Sequence, residues 1–292
     1  MGGSGISMKI IFFGTPEFVL PILETLFAKY NRTVDKGLIG VVTQPPKPAG
    51  RGQRMSYSPV DEWAYKHKLS IYTNLDEVPE ADLGVVAAYG KIIPQQIIEK
   101  FKYGILNIHP SLLPKYRGAS PIQAAILAGD EMTGVTIIKM DKEMDHGPIL
   151  SSFKERVNKN DTTETLRTRL FNRSAQFLLD LIPNYVDRKI MPKPQNHDEA
   201  TFTKTIIKKD GYVSLSGDAA ETERKIRAMY PWPGAWTEIY LSKDDKLPKQ
   251  LKILEAHVED NKLVLDKVQL EGKNPVTWKQ FTEGYPDFVF KK

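Results

Sequence analysis

The sequence predicts an α/β fold in which an open, mostly parallel sheet with helices on both sides precedes a small β-rich domain. Three observations lead there. Short apolar runs alternate with helix-periodic segments through the first two-thirds of the chain, the pattern of a parallel sheet with crossover helices. The runs are continuously apolar rather than alternating, as strands buried on both faces must be. From about residue 209 the pattern gives way to closely spaced, strand-like runs.

The elements follow in order. Residues 9–13 form the first apolar run and end at Gly14. A segment from Pro16 to about Tyr30 then carries helical spacing at Phe18, Ile22 and Leu26, with proline as a normal helix start. Further strands are expected at 37–43, 82–87, 104–108 and 134–140, and helices at 59–67, 94–100 and 121–128. A longer helix is expected over 162–186, capped by Asp161 with Glu164 three residues on, and striped by Leu166, Leu170, Phe177, Leu178 and Leu181. The polar, proline-rich stretch 191–199 reads as a linker. Beyond it come a helix at 219–229, the sequence Pro231-Trp232-Pro233-Gly234-Ala235-Trp236, and strands at 237–241, 251–256 and 262–265. The expected division is a first domain over 8–188, a linker over 189–208 and a second domain over 209–292. No internal repeat or low-complexity tract interrupts it.

Composition narrows the function classes. A chain of 292 residues with 41% hydrophobic content can bury a substantial core without staples. Cysteine is absent, which removes disulfides, thiol nucleophiles and thiolate metal sites together and fits a reducing cytoplasm. No apolar run approaches the ~20 residues of a membrane span, so no membrane partner is expected. Residues 1–7 are too short and polar for a signal peptide and read as an expression scar, with Met8 as the native start. A net charge of +5 permits a polyanionic partner without demanding one. Its distribution is more telling: Lys47, Arg51 and Arg54 share one loop with no acid between them, and Lys154, Arg156, Lys159, Arg167, Arg169 and Arg173 outnumber nearby acids.

Two clusters could carry chemistry. Asn107 and His109 lie two apart at the end of a strand, so their side chains face the same way. In open α/β sheets the carboxyl ends of strands are where sites form. Spacing alone leaves a humbler role open, with His109 closing the strand and Asn107 satisfying a turn. The second cluster follows the strand at 134–140: Asp141-Lys142-Glu143-Met144-Asp145-His146-Gly147-Pro148. A carboxylate beside His109 would hold its imidazole and favour its protonated form. Amide, imidazolium and carboxylate together can stabilise an oxyanion while a neutral nucleophile attacks a carbonyl. Spacing does not choose among Asp141, Glu143 and Asp145. Gly14-Thr15-Pro16 lacks the G-x-G-x-x-G fingerprint and no P-loop occurs, so a nucleotide cofactor is not expected. His67, His197 and His257 have no ligand spacing, His146 stands alone among acids, and no metal is expected.

Longer motifs add a resemblance. Phe13-Gly14-Thr15-Pro16-Glu17-Phe18, Thr43-Gln44-Pro45-Pro46-Lys47-Pro48-Ala49-Gly50-Arg51-Gly52, Ala87-Ala88-Tyr89-Gly90, the stretch 107–123 beginning Asn107-Ile108-His109-Pro110-Ser111-Leu112-Leu113-Pro114, and the stretch 134–141 resemble the methionyl-tRNA formyltransferase family in order and spacing. The likeness runs from Met8 to the C-terminus and includes Pro231-Trp232-Pro233. It implies a Rossmann-like formyltransferase fold with an OB-like β-barrel behind it. It also implies Asn107, His109 and Asp145 as the catalytic trio and 10-formyltetrahydrofolate as the donor. The acceptor it implies is the α-amine of an initiator methionyl-tRNA.

The same resemblance places folate against Ser111, Leu112, Leu113 and Pro114 and against the backbone of Ala88, Tyr89, Gly90 and Ile92. It sends the basic loop, with Lys47, Arg51 and Arg54, to the tRNA acceptor stem, and makes Lys204, Lys208 and Lys209 the tRNA-facing charges after the linker. Trp232 and Trp236 are expected to be domain core or interdomain packing rather than base-stacking platforms. The second domain looks short for the family, and a monomer is expected. Two rival readings are a sugar-nucleotide N-formyltransferase, which shares the trio and the donor, and an inactive tRNA-binding protein. Glycinamide ribonucleotide formyltransferases share the trio but resemble only the first domain.

Overall fold

The computed structural model describes residues 8–30, 36–50, 52–242 and 245–291. Residues 1–7 and Arg51 of the basic loop therefore lie outside the described residues. Strand β1 (Lys9–Gly14) passes through a 3-10 turn into helix α1 (Leu20–Lys29), which has Pro21 in its first turn. β2 (Gly37–Val42) precedes a short hairpin, β3 (Lys47–Ala49) and β4 (Arg54–Ser56). Helix α2 (Pro59–Lys66) begins where the Ser58 hydroxyl accepts from the Asp61 amide and Pro59 occupies the first turn. Then come β5 (Ser70–Tyr72), β6 (Leu83–Ala87), α3 (Gln95–Ile98), β7 (Ile105–His109), β8 (Arg117–Gly118) and α4 (Pro121–Ala128). β9 (Met132–Lys139), β10 (Ile149–Arg156) and α5 (Thr163–Val186) follow.

Seven strands make one sheet in the order β10-β9-β7-β6-β1-β2-β5. The five from β7 to β5 are parallel. The interiors of β1, β2, β6 and β7 are buried almost throughout, which is why these four sequences read as unbroken apolar runs. The chain leaves central β1 for β2 on one side and returns through β6 and β7 on the other. The strand order thus reverses beside β1, the place where open sheets of this kind form a crevice. β9 is antiparallel to β7, with Asn107 opposite Ile138 and His109 opposite Thr136.

Local structure adds detail that the sequence pattern does not show. The basic loop is a two-stranded hairpin rather than an irregular loop, turned at Gly50 (φ 70°) and closed by the Gln53 amide donating to the Gly50 carbonyl at 3.3 Å. Helix α5 is capped by Thr162, whose hydroxyl accepts the Thr165 amide. The Asp161 carboxylate accepts from the Asn158 amide and the Thr165 hydroxyl, so it too is tied to the start of the helix. Strand β10 and the three-residue β5 are not visible as apolar runs, because β10 alternates and β5 is too short.

The remaining elements are β11 (Phe202–Thr203), α6 (Ala219–Met229), β12 (Ala235–Tyr240), β13 (Lys249–Glu259), β14 (Lys262–Leu270), β15 (Val276–Thr277), α7 (Trp278–Gly284) and β16 (Val289–Phe290). The chain forms two compact units. One comprises 1–117, 134–155 and 167–202; the other comprises 118–133, 156–166 and 203–292, a grouping that is not collinear with the sequence. In the second unit, a five-stranded antiparallel sheet runs in the order β15-β14-β13-β12-β16. β12 alternates buried and half-buried residues, the signature of a sheet with one covered face. Ile226 of α6, Ile239, Leu251, Ile253, Val268 and Phe281 fill the core beneath it. Trp236 is half-buried, its Nε1–H donating to the Lys208 carbonyl at 3.2 Å and its ring edge-on to Tyr212. Trp232 departs from the expected packing role: it sits on the turn before β12 and is 54% exposed.

Candidate active site

Asn107 and His109 project from β7 onto one side of the sheet, and Asp145 meets them there. The Asn107 Nδ2–H donates to Asp145 Oδ1 at 2.9 Å, and His109 Nδ1 lies 3.5 Å from the same oxygen. The His109 and Asp145 side chains are 5% and 9% exposed, so water is largely excluded and their mutual attraction is strengthened. The opposite ring nitrogen, Nε2, is 2.9 Å from the Tyr116 carbonyl. A carbonyl only accepts, so Nε2 carries a proton. Both ring nitrogens face oxygen acceptors, an arrangement that a ring bearing two protons satisfies fully.

Asp145 reaches this position by a route that local sequence does not reveal. Because β9 is antiparallel, its last residue, Lys139, lies opposite Leu106 near the start of β7. The segment 140–148 must then turn back along β7 to bring Asp145 to Asn107. Gly147 permits the return: a Cβ there would stand 1.9 Å from the Lys139 carbonyl oxygen. Asp145 itself adopts φ 52°, a left-handed conformation uncommon for a residue with a side chain. Asp141 and Glu143 go elsewhere. The His146 Nδ1–H donates to Asp141 Oδ2 at 2.7 Å, and His146 Nε2 is 4.0 Å from Glu143.

The turn after β7 is fixed on both sides. Thr136 Oγ1 donates to the Ser111 carbonyl at 2.7 Å and accepts from the Leu113 amide at 3.0 Å. The Ser111 hydroxyl donates to the Lys115 carbonyl at 2.6 Å. Of the residues expected against folate, Ser111 and Leu113 are buried, Leu112 and Pro114 are half-buried, and Ile92 is 77% exposed. In the 88–90 loop, Ala88 and Gly90 both have positive φ. Tyr89 does not present its ring: the side chain lies in the core against Phe13, its hydroxyl buried with no hydrogen-bond partner among the described residues, and burial pushes the phenol pKa up. The Tyr89 carbonyl already accepts from Thr15 Oγ1 at 2.9 Å and from Gln44 Nε2 at 3.2 Å.

The expected cationic contacts fall into two groups. Lys47 and Arg54 are exposed on the hairpin. Lys47 pairs with Ser56 and Ala49 with Arg54, so alternation puts the Lys47 and Arg54 side chains on one face of the ribbon. Lys204 donates to Asp210 Oδ1 at 2.7 Å, and this hydrogen bond holds the Asp210 carboxyl below the usual range. Lys208 and Lys209 are exposed on a short 3-10 turn. Residues that sequence reasoning passed over also build the site: Thr136, Tyr116, and Gln195 from the stretch read as linker. Among the described residues no group of three or more His, Asp or Glu is placed to hold a metal ion, and no helix is long and apolar enough to cross a membrane.

Known proteins resemble the chain over nearly its whole length. A formyl transferase family model matches residues 8–182, and a model for the C-terminal domain of formyl transferases matches 205–263. A methionyl-tRNA formyltransferase from Rickettsia bellii is 36% identical over 316 aligned positions, covering 98% of this chain and 99% of the relative. Among solved structures, a methionyl-tRNA formyltransferase from Clostridium thermocellum superimposes with a TM-score of 0.58 at 21% identity, covering 90% of this chain and 98% of that one. An N-formyltransferase from Helicobacter canadensis, solved with folinic acid and dTDP-3-aminofucose, gives a TM-score of 0.66 at 18% identity, covering 92% and 98%. At those identities the two structures speak to the fold alone.

Proposed function

The chain belongs to the methionyl-tRNA formyltransferase family, and we propose that it transfers the formyl group of 10-formyltetrahydrofolate to the α-amine of initiator methionyl-tRNA through Asn107, His109 and Asp145. One observation carries the assignment of the trio: a buried carboxylate oxygen receives the Asn107 amide at 2.9 Å and faces the His109 ring at 3.5 Å. The donor supplies an activated formyl carbon; a C–N bond to the methionine nitrogen forms, the bond to N10 breaks, and one proton passes from the amine to N10.

Each residue then has a distinct task. Asn107 has a second amide hydrogen besides the one given to Asp145, and that hydrogen can meet the oxygen of the carbonyl under attack. His109 sits beside it as a cationic donor, held from behind by the Tyr116 carbonyl. Donors aimed at developing negative charge in a dry site supply a large share of such catalysis. Asp145 orients both groups and balances the charge of the ring. The nearby loop supports the donor site. Ile92 is a large apolar side chain 77% exposed, and the turns at Ala88 and Gly90 leave backbone groups for a heterocycle to read.

For the acceptor, the hairpin face bearing Lys47 and Arg54, with Arg51 between them in sequence, suits a phosphate backbone. Lys208 and Lys209 add exposed charge, whereas Lys204 is engaged with Asp210. We assign the enzyme to the cytoplasm and to a monomeric state. The decisive test is formyl transfer from 10-formyltetrahydrofolate to charged initiator tRNA, charged elongator tRNA and an amino-sugar nucleotide in parallel. Transfer to the initiator tRNA is expected; transfer to the sugar nucleotide alone would replace this reading.

A further inference from the structure

The proline-flanked stretch read as a linker is tied along the site. The backbone of Lys193 pairs with Ile149, and the Thr201 hydroxyl accepts from the Tyr116 amide at 2.8 Å while its carbonyl accepts from the Arg117 amide at 2.8 Å. Between these anchors Gln195, 6% exposed, points into the turn that carries Asp145. Its Nε2 donates to the Asp145 carbonyl at 2.8 Å and to the Gly147 carbonyl at 2.7 Å, so both amide hydrogens are committed to the two ends of one turn. Its Oε1 accepts from Arg117 Nη2 at 2.7 Å and from Arg117 Nε at 3.3 Å. Arg117 is itself 4% exposed and also donates to His197 Nδ1 at 2.8 Å. The His197 ring lies flat on His146 at 4.0 Å, and His146 is paired with Asp141.

We propose that Gln195 is a positioning residue for formyl transfer, holding the Asp145–Gly147 turn in the left-handed geometry that delivers the Asp145 carboxylate to Asn107 and His109. The argument is one of orientation. Asp145 has φ 52°, a conformation that aspartate visits more readily than most residues but that still needs support from its surroundings. Two charge-assisted links, Arg117 to Gln195, back a neutral amide whose two hydrogens fit two carbonyls separated by one residue, so the turn cannot rotate without leaving buried polar groups unpaired. Misplacing a catalytic group by about 1 Å can cost on the order of 10² in rate. Gln195 touches no reacting atom, and its effect passes wholly through Asp145. The proposal therefore rests on the catalytic reading of Asp145.

The test is a cycle of four proteins: wild type, Gln195→Met, Asp145→Asn and the double variant, each measured for formyl-transfer kcat, for KM toward donor and tRNA, and for thermal unfolding. Gln195→Met keeps the side-chain length and removes every hydrogen bond. The expected result is a fall in kcat of tenfold or more, on the order expected of a displaced catalytic group, with both KM values unchanged and little further loss in the Asp145→Asn background. An equal loss in both backgrounds, or wild-type kcat in Gln195→Met beside a crippled Asp145→Asn, overturns the positioning role and leaves the trio standing. Near-wild-type kcat in Asp145→Asn overturns the trio itself, whatever Gln195 does. If Gln195→Met lacks a cooperative unfolding transition, Gln195→Glu takes its place in the same cycle. It keeps an acceptor for Arg117, loses the donors to the two carbonyls and sets an oxygen against them, so it is expected to reproduce the kcat loss.

Discussion

Asp145 Oδ1 receives the Asn107 amide and faces the His109 ring in a site that is almost closed to water. Asn107→Ala and His109→Ala remove the groups aimed at the reacting carbonyl, so their cost is expected to fall on the reaction more than on folding. Each variant is expected to lose on the order of 10²–10³ in kcat while retaining a cooperative unfolding transition, as measured by single-turnover formyl transfer and thermal denaturation. At this scale sequence reading goes far but not all the way. The pair Asn107 and His109 follows from strand alternation. Asp145 comes by resemblance, because Asp141, Glu143 and Asp145 are equivalent until the return of the 140–148 segment sorts them. Gln195 carries no signal at all: a buried amide between Pro194 and Asn196 looks like any polar linker residue.

The hairpin of β3 and β4 shows what an element adds to its residues. In sequence the three cations merely share one glycine- and proline-rich loop, whereas antiparallel pairing aligns Lys47 and Arg54 on one face. Replacing Lys47, Arg51 and Arg54 together by Gln is expected to weaken tRNA binding and flatten its salt dependence, with the slope of log K against log salt reduced by about 1 for each phosphate no longer neutralised. Donor binding is expected to stay unchanged. Titration of both ligands at several salt concentrations checks this, and an unaltered slope counts against the hairpin as the tRNA-binding element. Helices follow the sequence more closely: α4 and α6 start and stop where proline, capping residues and apolar spacing put them, and in α5 the Thr162 hydroxyl accepts the Thr165 amide.

Across the whole molecule, two cores are built by different rules. The first is a sheet with strands buried on both faces. The second is an antiparallel sheet covered on one face by α6 and α7, with Phe281 at 1% exposure among Trp278, Tyr285 and Phe288. Phe281→Ala is expected to cost about 3–5 kcal/mol, the range for emptying a large aromatic site, read as a shifted unfolding midpoint in urea. Local periodicity in the sequence was enough for strands β1, β2, β6 and β7, from their unbroken apolar runs, for helices α1 to α6, from their spacing and start signals, and for the shared direction of Asn107 and His109. Tertiary structure decided the rest. The antiparallel setting of β9, the return of Asp145 across 38 residues to Asn107, and the reach of Gln195 across 50 residues to the same turn depend on pairing between distant segments. A local window contains only one partner of each such pair, so no local pattern encodes it.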